Sequence, residues 1–185
     1  QTPSQKLEVS APQANLPSTP VTDTDTQELL QAEPETTQEV IAKDSRIQIS
    51  NSALSGSIRT KGGRLDNLML EKYKQTLEED SPDVELFAPA QTQAPYYAEF
   101  GWLSNNPQIK LPNKDTIWSV KGQKLTPETP IVMEWNNGQG LKFIRKISLD
   151  DNYMFTIQQN VINNSNQAVT LYPYGLINRK LENLN

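Results

Sequence analysis

Cysteine and histidine are both missing from the 185 residues. Without cysteine there is no disulfide and no thiol nucleophile, and nothing fixes the redox compartment. Without histidine a Ser–His–Asp relay is excluded, and so are zinc sets built on His or Cys. Long apolar runs are lacking as well, so no membrane-spanning helix is expected. The eight glycines form no G-x-G-x-x-G fingerprint and no phosphate loop ending in Gly-Lys-Ser/Thr. No D-x-D-x-D-G calcium loop occurs either. No signal peptide is visible, and a first residue of Gln1 in place of Met predicts a processed or excised piece.

Charge and proline are unevenly spread. Residues 1–40 hold five of the thirteen prolines and seven acidic residues against Lys6 alone, a net charge of −6. The remaining 145 residues carry 16 basic and 15 acidic side chains. Ordering a residue costs about 1–2 kcal/mol of backbone entropy. The stretch "SAPQANLPSTPVTDTDT" has almost no apolar area to offset it. A short helix from Gln27 is interrupted by Pro34. Residues 1–43 therefore read as an acidic, flexible Pro/Thr/Gln-rich linker, and residues 44–185 as one domain-sized unit. The near-neutral charge of that unit lacks the basic stripe a nucleic-acid surface needs.

Residues 44–185 read as successive strands: 45–50, 53–59, 64–73, 84–88, 95–104, 109–111, 116–120, 131–135, 141–150, 153–163 and 168–178. "TKGG" (60–63) predicts a tight turn. The apolar spacing of Leu65, Leu68 and Leu70 predicts a bulge near Asp66-Asn67. Asn137-Gly138 is the strongest hairpin signal. In "LKFIRKISL" the apolar parity includes Arg145. No long amphipathic helix separates these segments, which predicts an all-β antiparallel sandwich or barrel. Trp102, Trp118 and Trp135 are expected in its core.

The remaining enzymatic option is a pair of carboxylates. Asp150 and Asp151 sit in a predicted hairpin turn. Glu99 interrupts the aromatic strand "PYYAEFGWLS" and, if buried, needs a partner such as Arg64 or Arg145. Glu134 is the fourth candidate. Tyr96, Tyr97, Trp102, Trp118, Trp135, Tyr172 and Tyr174 form either a sugar-stacking groove or β-favoured core. Lys72, Lys74, Lys142, Arg145 and Lys146 form either a lipid-facing patch or a solvated face. Asn163-Asn164-Ser165 fits a glycosylation acceptor.

Several stretches together resemble one family. "ISNSALSGSIRTKGGRLDNLMLEKYKQTLEEDSPDVELFAP" (49–89), "PYYAEFGWLS" (95–104), "DTIWSV", "LTPETPIVMEWNNGQGLKFIRKISLDDNYMFTIQQNVINNS" and "VTLYPYGLINR" (169–179) follow in order. Over about residues 44–180 they resemble the N-terminal part of the large periplasmic domain of YidC-type membrane protein insertases of Gram-negative bacteria. The likeness is greatest to alphaproteobacterial members. It implies a β supersandwich resembling the galactose-mutarotase and sugar-binding superfamily, truncated here, with residues 1–43 as the variable linker. It implies a non-catalytic domain on the periplasmic face of the inner membrane, within a multi-pass parent that inserts and folds membrane proteins. Implied partners, acting through that parent, are the Sec translocon, its accessory components and nascent inner-membrane proteins. Proximity to the membrane surface is also implied. The family's transfer groove lies in transmembrane helices that have no counterpart here. Arg64, Arg145 and Arg179 do not match its groove arginine, so no catalytic, cofactor-binding or metal residue is carried over. No cofactor, nucleic acid or small-molecule substrate is expected. The alternative is a stand-alone carbohydrate-binding or carbohydrate-modifying sandwich, which requires an open aromatic groove beside a carboxylate.

Overall fold

Among the described residues, alternation of apolar and polar residues, broken by glycine turns, builds eleven strands and one helical turn. The computed structural model describes residues 17–18 and 33–180. The elements in order are α1 (Thr37–Ile41), β1 (Arg46–Ser50), β2 (Leu54–Arg59), β3 (Leu65–Lys74), β4 (Asp83–Phe87), β5 (Tyr96–Leu103), β6 (Ser119–Lys121), β7 (Lys124–Leu125), β8 (Ile131–Asn136), β9 (Leu141–Leu149), β10 (Phe155–Asn163) and β11 (Tyr172–Arg179). They form two sheets, both open at their edges. One runs β11-β5-β3-β2-β1-β7, with β4 also paired to β3; the other runs β10-β9-β8-β6. All pairings are antiparallel except β1 with β7. The expected all-β, sandwich-like antiparallel class is the one observed.

The core lies between the inward parities of both sheets. Ile47 and Ile49 of β1, Leu54 and Ile58 of β2, and Ile131 and Met133 of β8 are buried there. The parity read for β9 holds throughout: Leu141, Phe143, Arg145, Ile147 and Leu149 are all buried. Phe143 meets Trp102 edge-on at 5.0 Å and Trp135 at 5.8 Å. Burying such a ring contributes about 1.5–3 kcal/mol. Trp102 and Trp118 are buried as expected, whereas Trp135 is only half-buried.

The bulge in β3 is where the spacing places it. Ser57 pairs with Asn67 and Ile58 with Leu65, leaving Asp66 as the extra residue. Asp66 and its neighbours are consequently buried in one run rather than alternately. The double-glycine turn leading into β3 requires glycine: Gly62 and Gly63 have φ of 77° and 66°. A Cβ on Gly62 would lie 2.6 Å from the Lys114 carbonyl oxygen. Asn137-Gly138 joins β8 to β9, with the Asn137 carboxamide oxygen accepting from the backbone N–H groups of Gln139 (2.8 Å) and Leu141 (3.1 Å).

Two expectations are corrected. Residues 109–111 are not a strand. Prolines 107 and 112 bracket them, and a turn bond from Ile109 N–H to Asn106 C=O (3.3 Å) together with side-chain bonds takes the place of a ladder. The Gln139 side chain accepts from Lys110 N–H (2.8 Å) and donates to Gln108 C=O (2.8 Å), while Asn137 Nδ2 donates to Lys110 C=O (3.1 Å). The segment expected over 168–178 becomes strand only at Tyr172, and the two-residue β7 has no counterpart in the expected set.

Residues 33–43, assigned to the linker on composition, carry α1. Thr36 caps it in a capping box with Glu39, and Val40 is buried. Most of the residues assigned to the linker, 1–16 and 19–32, lie outside the described residues. The β1–β2 turn of one sheet and the β9–β10 turn of the other are tied together. Asn51 Nδ2 donates to the carbonyls of Asp150 (2.8 Å) and Asn152 (2.7 Å), and Ser52 Oγ to that of Asp151 (3.0 Å).

Candidate functional site

Arginine 145 enters the core because β9 alternates: its position shares a parity with Leu141, Phe143, Ile147 and Leu149. It is 1% exposed. A buried guanidinium must find acceptors or aromatic faces. Nη1 donates to Gly63 C=O at 3.1 Å, and Nη2 to Phe100 C=O and to Gln159 Oε1. The group lies 4.9 Å from the Trp118 ring and 5.8 Å from that of Trp102. Burial pushes its pKa down to about 10, with Tyr174 and Glu99 acting in the opposite direction. Arg145 is therefore charged at neutral pH.

Beside it lies an ion pair. Arg64 follows the double-glycine turn and donates through Nε to Glu99 Oε1 at 2.6 Å, with Nη2 on the same oxygen. Its guanidinium stacks 4.1 Å from the Tyr97 ring centroid. Glu99 thus meets the first of its two expected partners. The Tyr174 ring covers Gly101, where a Cβ would lie 2.7 Å from it. Burial, and then the Glu99 carboxylate, raise the Tyr174 pKa.

These groups border a cavity of ≈ 30 Å³ between the double-glycine turn, the 112–114 loop, β5, β9 and β11. Its charged lining comprises Arg59, Lys61, Arg64, Lys114 and Arg145, against Glu99 alone. Arg59 is held by Asp44 (2.7 Å) and Lys61 by Asp115 (3.1 Å). Two lining residues carry a buried N–H with no partner, Arg145 at Nε and Trp118 at Nε1.

A third charged cluster sits under β1–β3. Arg46 is paired with the bulged Asp66, both side chains nearly inaccessible. Burial raises the Asp66 pKa, and outweighs the opposing pull of Arg46, Arg64 and Arg59.

The other candidate carboxylates are occupied structurally. Glu134 is bound by Lys142 (2.9 Å) and Lys121 (3.0 Å), and those two hydrogen bonds lower its pKa. Asp150 accepts from the N–H groups of Asn152 and Met154, both at 2.9 Å, as a turn residue should. Asp151 is exposed in the same turn. Asn163, of the glycosylation pattern, accepts from Ser165 N–H and Oγ in a local turn.

Neither surface considered from sequence is assembled. Tyr97, Trp102 and Trp118 are buried, at 3–4% exposed, and Tyr96, Trp135, Tyr172 and Tyr174 are half-buried. Of the basic residues, Lys72 and Lys74 extend from β3 in one sheet, Lys142 and Lys146 stand on β9 in the other, and Arg145 is buried. The cationic cavity was not foreseen. Its signals were an arginine on the apolar parity of β9 and a double glycine immediately before Arg64. Among the described residues, no His/Cys/Asp/Glu group could hold a metal ion, and no helix is long and apolar enough to cross a membrane.

Comparison with known proteins accounts for the pattern as a whole. The family model described as the YidC periplasmic domain matches residues 46–185. The membrane protein insertase YidC of Rickettsia bellii is 51% identical over 151 residues, covering 82% of this chain and 27% of that protein. That of Methylobacterium radiotolerans is 46% identical over 149 residues, 80% of this chain and 24% of that protein. That of Rickettsia canadensis is 50% identical over 135 residues, 73% and 24% respectively. The chain spans about a quarter of the length of these relatives. With a matching region that includes both sheets and the buried arginine network, the chain belongs to the YidC membrane protein insertase family, through its periplasmic domain.

Proposed function

We propose that this chain serves as a non-catalytic periplasmic module of a multi-pass inner-membrane insertase. In that reading the parent inserts and folds inner-membrane proteins, with or beside the Sec translocon. The match of residues 46–185 to the YidC periplasmic domain carries this reading. The non-catalytic part draws support from the carboxylates: Glu99 and Glu134 are held by cations and Asp150 by a turn. A completed β supersandwich of the galactose-mutarotase type, with residues 44–185 as its N-terminal part and residues 1–43 as a linker, belongs to the same proposal. So do a location on the periplasmic face and contact with Sec accessory components and nascent clients. The carbohydrate alternative loses its main requirement, because Tyr97 and Trp102 are closed to solvent.

The test uses the full-length parent in cells depleted of their own insertase. The parent is expected to restore insertion of a membrane-protein reporter, read by protease protection. Glu134→Gln and Glu99→Gln parents that retain a folded domain are expected to do so equally. Failure of the parent would remove the insertase reading. Loss of insertion in a folded carboxylate variant would remove the non-catalytic one.

A further inference from the structure

We propose that the cationic cavity beside Arg145 is a binding site for a carboxylate group. Three observations converge on it, independently of the insertase reading. First, five cationic side chains line the cavity against one carboxylate. Asp44 and Asp115 hold Arg59 and Lys61 from outside the lining. A lining dominated by one sign of charge attracts small counter-ions. Second, Arg145 is 1% exposed and Trp118 3% exposed, and each carries a buried N–H without an acceptor. Such donors are expensive to leave unmade, and a charged oxygen is the strongest partner for them.

Third, size selects among anions. A water-sized group needs about 10–15 Å³ on this measure. The ≈ 30 Å³ available suits the two oxygens of a carboxylate. It is cramped for the four oxygens of phosphate or sulfate. The only carboxylate already lining the cavity, Glu99, has Oε1 committed to Arg64. A second carboxylate arriving from outside would meet Lys61 and Lys114 near the mouth, with Arg145 and Trp118 deeper.

This goes beyond the sequence expectation that the domain has no small-molecule substrate. The carboxylate has two possible sources, a free small acid or the terminus of a peptide.

The experiment titrates the 185-residue chain with acetate at constant ionic strength, using chloride as control and inorganic phosphate as competitor. The readout is the indole N–H resonance of Trp118, assigned by its loss in Trp118→Phe, together with the Arg145 Nε–H resonance. Acetate is expected to give saturable shifts of both, with a dissociation constant of about 1–10 mM, as suits so small a ligand. Phosphate is expected to bind more weakly. Lys61→Met and Lys114→Met, which remove exposed charges without touching Arg145, should each weaken acetate about two- to fivefold. A second arm compares one peptide with its C-terminus free and amidated. Saturable binding of the free form alone identifies a peptide terminus as a source. Binding of acetate without either peptide identifies a small acid. Shifts that never saturate, or that chloride reproduces, would reflect general screening and overturn the proposal. Unchanged affinity in both lysine variants would overturn it too.

Discussion

Arg145 and Glu99 illustrate how differently a buried and a half-buried charge behave. Arg145 is stabilised by carbonyls and rings rather than by a paired carboxylate. Arg145→Ala leaves the Gly63 and Phe100 carbonyls buried without that donor. We expect a loss of about 3 kcal/mol, measured as a shift of the urea midpoint with unchanged slope. Arg145→Lys is expected to recover little of it, because an ammonium cannot reproduce the planar fork. Glu99→Gln removes the negative charge that faces the Arg64 guanidinium, whose side chain is 6% exposed. A loss of about 2–4 kcal/mol is expected, while Arg64→Met combined with Glu99→Leu should be far milder. Asp66 gives a pH signature of definite sign. Burial raises its folded-state pKa above 3.8, so the folded form holds its proton more tightly than the unfolded chain. Its contribution to stability must therefore fall as pH rises through the window just above 3.8. Denaturant titrations at successive pH values should show that slope, and Asp66→Asn should remove it. Glu134 acts with the opposite sign, its lowered pKa favouring the fold above 4.5, but its exposure leaves that contribution small.

At the scale of elements, legibility followed local pattern. β9 was readable because a nine-residue alternation specifies both strand and face. The β3 bulge was readable because Leu65 and Leu68 break period two. The sequence 109–111 misled for the opposite reason: three residues suit a strand, but the choice rests on amides of Gln139 and Asn137 nearly thirty residues away. Gln139→Ala should therefore expose the Lys110 N–H, seen as faster hydrogen exchange at that amide with little change elsewhere. The helical turn α1 had a local signal in Thr36-Thr37-Gln38-Glu39, the spacing of a capping box. A five-residue helix is too short to persist alone. It is held through Val40, through Glu35 N–H on Gln91 C=O (3.1 Å) and through Thr37 Oγ1 on Glu85 (2.6 Å). The cationic cavity was illegible because Arg59 with Lys61, Lys114 and Arg145 come from three separate stretches, and only tertiary folding brings them to one place.

For the whole molecule, β10 and β11 form the ends of their respective sheets. Their inward residues Phe155, Ile157, Val161, Tyr172 and Leu176 are half-buried, and Ile162 and Ile177 are 45% and 65% exposed. Open strand edges with apolar neighbours invite pairing with other chains. The 185-residue chain is expected to self-associate with rising concentration in sedimentation velocity, and Ile177→Lys should shift it toward monomer. A wholly monomeric chain at high concentration would show that these edges are adequately guarded.

The two sheets are also joined at separate points by directional bonds. At one, Arg145 of β9 reaches the carbonyls of Gly63 and Phe100; at another, Asn51 and Ser52 hold the carbonyls of the 150–152 turn. Apolar contacts alone tolerate slippage, since one methyl can replace another. Hydrogen bonds at fixed positions do not. Gln159 of β10 adds a third fastening, on the carbonyls of Gly101 and Tyr174. Under a pull along the strands the layers would have to break these fastenings almost together before gliding, so resistance to such a load resides in a few named polar side chains.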